Sequence, residues 1–201
     1  MTDFPPRIAI ATHNPHKLRE LARICADWPT EWVSVENHDP SAFPDVEETG
    51  ATYLDNARLK AEAVAASSRL PALADDSGIE VDALGGAPGP RSARYAGEHA
   101  SDEENLRALI QAIRGIPASG RSARYRCVAA IAWPGGRFDH AEGACEGTLR
   151  TSPAGSHGFG YDPIFVPIGR DVTMAELSDD EKDRISHRGR AFRGLRELLM
   201  G

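Results

Sequence analysis

The chain alternates between short apolar runs and longer segments in which apolar residues recur at helical spacing. An alternation of this kind is typical of α/β proteins, in which helices cover a sheet. The pattern predicts strands at 7–12, 31–35, 70–74, 123–133, 138–149 and 164–166. It predicts helices at 15–27, 53–67, 101–114, 174–177 and 179–185, and a final helix after 186.

Capping residues precede several of the predicted helices. Asn14 stands before Pro15, Thr52 before the second helix and Ser101 before a run of acids that completes a capping box. Side-chain oxygens at these positions accept hydrogen bonds from the first unpaired N–H groups of a helix. Ser186 can cap the final helix in the same way. Its predicted core face is Phe192, Leu195, Leu198 and Leu199.

Two adjacent acids, a hydroxyl and a glycine directly follow the predicted strand at 70–74. They are Asp75, Asp76, Ser77 and Gly78, and the glycine allows a sharp turn. The carboxyl ends of strands in an open α/β sheet are where ligands bind, and hard cations such as Mg²⁺ prefer carboxylate oxygens. The alternative is a turn whose acids are solvated, which is common at strand ends.

Composition limits the classes of function. The formal net charge is −7, which argues against a broad surface for nucleic acid or for an anionic membrane. No apolar run is long enough to span a bilayer. Cys25, Cys127 and Cys145 are far apart, which fits reduced thiols in a cytoplasmic protein rather than a disulfide framework or a zinc site. With 201 residues and no linker, residues 1–201 are predicted to form one domain.

Other segments carry groups that suit a nucleotide. Lys17 lies in the first turn of a helix, where N–H groups attract anions, and an acid of the loop 36–48 could complete a metal site with Asp76. The glycine-rich loop 155–163 carries aromatic residues suited to stacking on a base. The chain has no Walker loop, HExxH or GxSxG motif. Magnesium-assisted attack of water on a nucleotide phosphate is the chemistry that fits the rest.

These stretches together resemble the non-canonical purine nucleoside triphosphate pyrophosphatases, also called the inosine/xanthosine triphosphate pyrophosphatase family. The matching stretches occur in the family's order and span nearly the whole chain. They are residues 8–17, 47–50, 74–78, 84–89, 92–95, 158–163 and 186–189.

The resemblance implies a two-lobed α/β fold with a long, mixed, twisted sheet flanked by helices, in a homodimer. It implies Mg²⁺-dependent hydrolysis of ITP, dITP and XTP to the nucleoside monophosphate and pyrophosphate. This reaction removes deaminated purines before polymerases use them. The implied partner is therefore a small-molecule nucleoside triphosphate, with no nucleic acid and no membrane.

The resemblance also implies roles for individual residues. Asp76 is the implied general base and a metal ligand, and Glu48 is the second ligand, with Glu47 as the alternative. Implied phosphate and substrate contacts come from Thr12, His13, Asn14, Pro15, His16, Lys17 and Ser77. The implied base and sugar contacts come from Phe159, Gly160, Tyr161, Asp162, Lys182, His187 and Arg188.

The last two residues are expected to read the edge of the purine. Hypoxanthine and xanthine carry an acceptor oxygen at position 6, where adenine carries an amine. A donor from His187 or Arg188 would face the amine of adenine, which is also a donor. A buried polar group would then stay unpaired, which costs about 1–3 kcal/mol. Rejection of guanine needs a further feature, since guanine also carries the oxygen.

Two departures and two alternative functions accompany this interpretation. His13 stands where the family often has glycine, and Arg91 stands where it often has an apolar or aromatic residue. The alternatives are a nucleotide-binding sensor without turnover and a pyrophosphatase for other modified nucleotides. The acids Glu48, Asp75 and Asp76 favour turnover, because a sensor does not need a metal site.

Overall fold

A computed structural model describes residues 4–201 and confirms the predicted α/β class with a mixed sheet. Within these residues the strands are β1 (Arg7–Ile10), β2 (Glu31–Val33), β3 (Ala72–Val81), β4 (Ser122–Ala132), β5 (Phe138–Leu149) and β6 (Phe165–Pro167). The α-helices are α1 (Pro15–Ile24), α2 (Tyr53–Ser68), α3 (Asp102–Ile113), α4 (Asp179–Ile185) and α5 (His187–Met200).

The six strands form one sheet in the order β2-β1-β3-β4-β5-β6. β1 pairs in parallel with β2 and with β3, with Ala9 opposite Val33 on one side and Ala72 on the other. β5 and β6 pair antiparallel, with Thr148 opposite Val166. Helices α1 and α2 provide the crossover connections that parallel pairs require.

β3 is longer than predicted, and this corrects the placement of the acidic run. Asp75, Asp76, Ser77 and Gly78 lie inside the strand rather than in a turn after it. The parallel partner β1 ends at Ile10, opposite Leu73, whereas β3 continues to Val81 and has β4 as its other neighbour. The acids therefore follow the last residue of β1 while they remain strand residues.

Contacts divide the chain into two units. The first unit contains residues 4–76, Cys127–Gly143 and Arg188–Gly201, and the second contains Ser77–Arg126 and Ala144–His187. The core of the first unit includes Ile8, Leu21 and Leu73, and that of the second includes Ile79, Leu109 and Ile164. The prediction that residues 1–201 form a single domain stays a prediction.

The final helix buries most of its predicted face. Phe192, Leu195 and Leu199 are buried, but Leu198 is 57% exposed, so its predicted core position is wrong. Successive residues of an α-helix are about 100° apart around its axis. Leu198 therefore lies about 120° from Phe192, whereas Leu199 lies on nearly the same side as Phe192. The buried face is therefore narrower than predicted.

None of the helices in residues 4–201 has the length and apolar character needed to cross a membrane.

A close approach between β5 and β6 gives a prediction about stability. A Cβ atom on Gly147 would lie 2.4 Å from the carbonyl oxygen of Val166 and 2.5 Å from the Phe165 ring. We expect Gly147→Ala to lower the free energy of unfolding by about 1–3 kcal/mol, because the strands or the ring must shift. Urea denaturation measures the change. Gly115→Ala is the control, since a Cβ there meets nothing within 4 Å. Equal stability of the two variants would contradict the prediction.

Candidate active site

The turn between β1 and α1 is held by its own polar side chains. Asn14 caps α1, and its Oδ1 accepts from the N–H groups of His16 (2.8 Å) and Lys17 (3.2 Å). Thr12 Oγ1 accepts from the N–H of Asn14 at 3.2 Å. His13 Nε2 contacts the carbonyl oxygen of Phe43 at 3.0 Å, which anchors the residue that departs from the family's glycine. The turn is therefore fixed, and Asn14 Oδ1 is used for capping.

Asp76 faces the helix α2. Its Oδ1 lies 3.2 Å from Lys60 Nζ, and its Oδ2 accepts from Asn56 Nδ2 at 3.3 Å. The same Lys60 Nζ lies 2.6 Å from Glu48 Oε1. Two carboxylates from separate segments thus converge on a single cationic group.

Asn56 also fixes the segment that carries Glu48. Its Oδ1 accepts from the N–H of Gly50 at 2.8 Å, and a Cβ on Gly50 would lie 2.5 Å from that oxygen. Only glycine allows this approach without a shift of Asn56. Of the two candidate acids, Glu48 is half-buried at the cluster and Glu47 is exposed, so the geometry favours Glu48.

Asp75 contacts a different set of cations. Lys17 Nζ lies 3.2 Å from its Oδ2, and the guanidinium of Arg188 donates to that oxygen from Nε (3.3 Å) and Nη2 (3.1 Å). The Nη1 of Arg188 donates to Glu20 on α1. Arg188, Asp75 and Glu20 are all buried. The first unit therefore contains a carboxylate cluster of four acids and three cations: Glu20, Glu48, Asp75 and Asp76 with Lys17, Lys60 and Arg188.

Burial and charge act on these groups in opposite directions. Burial raises the pKa of Asp76, and the nearby Lys60 and Lys17 only partly offset this. Burial alone would lower the pKa of Lys60, but attraction by Asp76, Glu48 and Asp75 raises it above the usual value. The same balance keeps Arg188 charged, since burial lowers its pKa and its carboxylate partners raise it more. Lys60 and Arg188 therefore keep their positive charges near neutral pH.

A second cluster lies in the second unit around the buried Asp162. Its Oδ2 accepts from Lys182 Nζ at 2.6 Å and from the N–H of Phe159 at 3.0 Å, and its Oδ1 accepts from Tyr125 at 3.1 Å. Lys182 Nζ also lies 5.3 Å from the centre of the Phe159 ring. The imidazole of His187 stacks on Tyr125, with ring centres 4.5 Å apart. We call Tyr125, Phe159, Asp162, Lys182 and His187 the Asp162 cluster.

The loop around this cluster needs a glycine beside the carboxylate. Gly158 has φ +73°, and a Cβ there would lie 2.1 Å from Asp162 Oδ2. The N–H of Gly160 donates to Asp102 Oδ2 at 3.2 Å. Tyr161 is buried, its hydroxyl donates to the carbonyl of Ser92 at 2.7 Å, and burial raises its pKa. These contacts fix the loop main chain and leave the Phe159 ring half-buried.

The predicted site residues thus fall into two groups. The first unit brings together residues 12–17, Glu48, Asp76 and Arg188, and the second holds Phe159, Gly160, Tyr161, Asp162, Lys182 and His187. Ser77 lies half-buried in β3 within the second unit. Arg188 was expected to read a base, but its side chain is bound to carboxylates in the first unit.

Comparison with known proteins identifies the family. The model of the Ham1 family matches residues 8–198. The chain belongs to the Ham1 family. The dITP/XTP pyrophosphatase of Streptomyces coelicolor is 49% identical over 199 residues, which cover 96% of this chain and 98% of that protein. The dITP/XTP pyrophosphatase of Bacillus subtilis is 44% identical over 190 residues, covering 94% and 95%. The predicted family is confirmed.

Solved structures of similar proteins agree with the fold. The HAM1 protein of Coxiella burnetii matches with a TM-score of 0.85 and 39% identity, covering 96% of this chain and 98% of that one. The nucleoside-triphosphatase / dITP/XTP pyrophosphatase of Mycobacterium abscessus matches with a TM-score of 0.74 and 42% identity, covering 94% and 98%.

The carboxylate oxygens of this Ham1 chain suit a hard cation that also takes ligands from the substrate. No three His, Cys, Asp or Glu side chains within residues 4–201 are placed to hold a metal ion by themselves. Mg²⁺ is usually held by one or two carboxylates together with water and substrate phosphates. Glu48 and Asp76 supply two carboxylates that already converge on a cation, Lys60 Nζ. The residues present therefore fit Mg²⁺.

Several residues of the clusters were not predicted as site residues. Glu20, Asn56, Lys60, Asp75 and Tyr125 all contact predicted site residues. The sequence carries a signal for three of them, because Asp75 stands in the acidic run beside Asp76, and Asn56 and Lys60 are one turn apart on a helix rich in alanine. Glu20 and Tyr125 carry no such signal, since their partners are distant in sequence.

The buried charges of the carboxylate cluster give a second prediction. Glu20→Gln leaves the Arg188 guanidinium with one carboxylate fewer in a buried place. We expect a loss of about 3 kcal/mol in the free energy of unfolding, measured by denaturation. Glu62→Gln is the matched control, because its exposed pair with Arg58 contributes less than about 1 kcal/mol. The prediction fails if both variants are as stable as the wild type.

Proposed function

We propose that this protein hydrolyses ITP, dITP and XTP to the nucleoside monophosphate and pyrophosphate, and so removes non-canonical purine nucleotides. The observation that carries the proposal is the convergence of Glu48 and Asp76 on one cation. The predicted class of enzyme, a nucleoside triphosphate pyrophosphatase, is confirmed by relatives of that name that align over nearly the whole chain.

Magnesium is the proposed cofactor, and Glu48 and Asp76 are its proposed ligands. When bound, Mg²⁺ neutralises charge that develops on the phosphates and orients them. The carboxylate cluster has four acids and three cations, so it has one negative charge in excess. A divalent cation is therefore favoured by the charge of the protein residues as well as by that of the substrate.

Asp76 is the proposed proton acceptor for the attacking water. A carboxylate acts as a general base only when it is ionised, and Lys60 and Lys17 favour the ionised form against the effect of burial. Asn56 donates to one oxygen of Asp76 and fixes its orientation. The balance keeps Asp76 a better proton acceptor than an exposed aspartate, because its pKa is raised.

The turn of residues 12–17 is proposed to bind the phosphates. Lys17 Nζ contacts Asp75, and the capping bonds of Asn14 use its Oδ1 rather than its amide donor. The main chain of Thr12, His13, Pro15 and His16 is held in one conformation by the capping bonds. A fixed turn at a helix N-terminus favours an anion without a large cost in conformational entropy.

The Asp162 cluster and its loop are proposed to recognise the base and sugar. The half-buried Phe159 ring offers a stacking surface, and Lys182 and His187 offer polar contacts, with Ser77, Gly160, Tyr161 and Asp162 as further substrate contacts. The guanidinium of Arg188 is bound to the carboxylates of Glu20 and Asp75. Its predicted contact with the edge of the purine stays a prediction.

We also propose that the protein is a cytoplasmic homodimer. The proposal of a dimer derives from the resemblance to the family, and light scattering coupled to gel filtration tests it. The three cysteines are buried, which fits a reducing compartment.

The first prediction from this function concerns Asp76. The wild type should release pyrophosphate from ITP and XTP, but not at comparable rates from GTP or ATP, and only with Mg²⁺. Asp76→Asn should lower kcat by about 10³-fold, since it removes both the general base and a metal ligand. The melting temperature serves as the control for folding. ITP binding without pyrophosphate release by the wild type would favour a sensor, and a wild-type rate in the variant would contradict the role of Asp76.

The second prediction separates the two glutamates. Glu48→Gln should raise the Mg²⁺ concentration that gives half-maximal activity by about tenfold or more, because one carboxylate ligand is lost. Glu47→Gln is the matched control and should leave this concentration unchanged, since Glu47 is exposed. Titration of activity with Mg²⁺ at fixed ITP measures both. A shift in the Glu47 variant alone would identify Glu47, and not Glu48, as the metal ligand.

A further inference from the structure

Tyr125 connects two residues that are proposed to recognise the base. Its hydroxyl donates to Asp162 Oδ1 at 3.1 Å, and its ring stacks on the imidazole of His187 at 4.5 Å with an angle of 8° between the planes. The Phe165 ring packs against Tyr125 at 4.8 Å. Tyr125 is buried and comes from the strand β4, so one rigid side chain contacts both groups.

The carboxylate of Asp162 in turn orders the groups around it. Its Oδ2 accepts from Lys182 Nζ and from the N–H of Phe159, which uses the two lone pairs of that oxygen. Its Oδ1 accepts from Tyr125. A carboxylate that is bonded from both oxygens cannot rotate freely, so the Tyr125 hydroxyl fixes the plane in which Lys182 and Phe159 are held.

We propose that Tyr125 is a positioning residue for base recognition, which holds Asp162 and His187 in the arrangement that accepts a 6-oxopurine. The proposal rests on the proposed function of the Asp162 cluster. Tyr125 lies in β4 and is proposed to act through Asp162 and His187 rather than on the reacting phosphates. Its effect should therefore fall on substrate binding and base selectivity and not on the rate of the chemical step.

The alternative is that Tyr125 is only a core residue with a satisfied hydroxyl. A core residue that affects stability alone would change the apparent activity on every nucleotide by the same factor. A positioning residue acts differently, since donors such as Lys182 and His187 meet an acceptor at position 6 in hypoxanthine, xanthine and guanine but an amine in adenine. The two cases therefore differ in the ratio between substrates.

Tyr125→Phe is the decisive variant, because it removes the hydroxyl and keeps the ring that stacks on His187. We expect KM for ITP and XTP to rise about tenfold, because Asp162 would no longer hold Lys182 and Phe159 in one plane, with kcat within about twofold of the wild type. The ratio of kcat/KM for ITP over that for ATP should fall by a similar factor, whereas the ratio of ITP over GTP should not change.

Tyr95→Phe is the matched control, since it removes a hydroxyl from another tyrosine that packs on the same core. It should leave KM and the ITP-to-ATP ratio unchanged. Tyr125→Leu, which also removes the stacking ring, should raise KM further than Tyr125→Phe. Melting temperatures of all variants separate effects on folding from effects on recognition.

A double variant tests whether Tyr125 acts through Asp162. In the Asp162→Asn background, Tyr125→Phe should change the dissociation constant of IMP, measured by calorimetry, by less than about twofold, because coupled residues are not additive. If Asp162→Asn does not fold, the ratio of kcat/KM for ITP over that for ATP in Tyr125→Phe decides between the two cases. Equal factors for ITP and ATP, or kinetics like those of the wild type, would overturn the proposal.

Failure of the proposed function would look different from failure of this inference. If the wild type released no pyrophosphate from any nucleotide, the function would be wrong, and calorimetry with IMP and AMP would still test Tyr125. If the wild type hydrolysed ITP and Tyr125→Phe had the same KM and selectivity, only the inference would be wrong.

Discussion

Two adjacent buried carboxylates in a strand are the constraint on which the first unit depends. Asp75 and Asp76 are both inside β3 and both buried, and a buried carboxylate is costly unless it is paired. Successive side chains of a strand point to opposite faces of the sheet. Asp75 accordingly contacts Lys17 and Arg188, whereas Asp76 contacts Lys60 and Asn56. One strand thus needs cations on both of its faces.

This separation gives the two acids different partners. Asp75 is bound by the guanidinium of Arg188 and the ammonium group of Lys17, in a network whose Asp75, Arg188 and Glu20 are buried. Such a network fixes geometry more than it adds stability. Asp76 shares its cation with Glu48, which lies on a half-buried loop. Asp76, which shares its cation with a second carboxylate, is therefore the proposed metal ligand and the proposed proton acceptor. Its neighbour anchors the helices α1 and α5 to the strand.

How much of this could be predicted depends on the distance in sequence between partners. The caps at Asn14, Thr52 and Ser101 form within three residues, so the local sequence predicts them correctly. The contact between Arg188 and Asp75 joins residues 113 positions apart, and the sequence around neither residue indicates it. The acidic run is predicted to follow the strand at 70–74, with a solvated turn as the alternative. β3 instead continues through it to Val81, although aspartate and glycine are depleted in strands.

The charge of the chain also shows why composition alone is a weak guide to the ligand. A net charge of −7 argues against polyanions in general, yet the proposed substrate carries several negative charges. The interactions that decide binding are short in range, because exposed charges more than about 10 Å apart are screened by salt. Within the first unit, Lys17 and Lys60 lie beside the turn and the carboxylates that are proposed to act on the phosphates. Their positive charge, a helix N-terminus and a shared metal ion can therefore attract a triphosphate to an acidic protein, whereas an extended polyanion would meet the net negative surface.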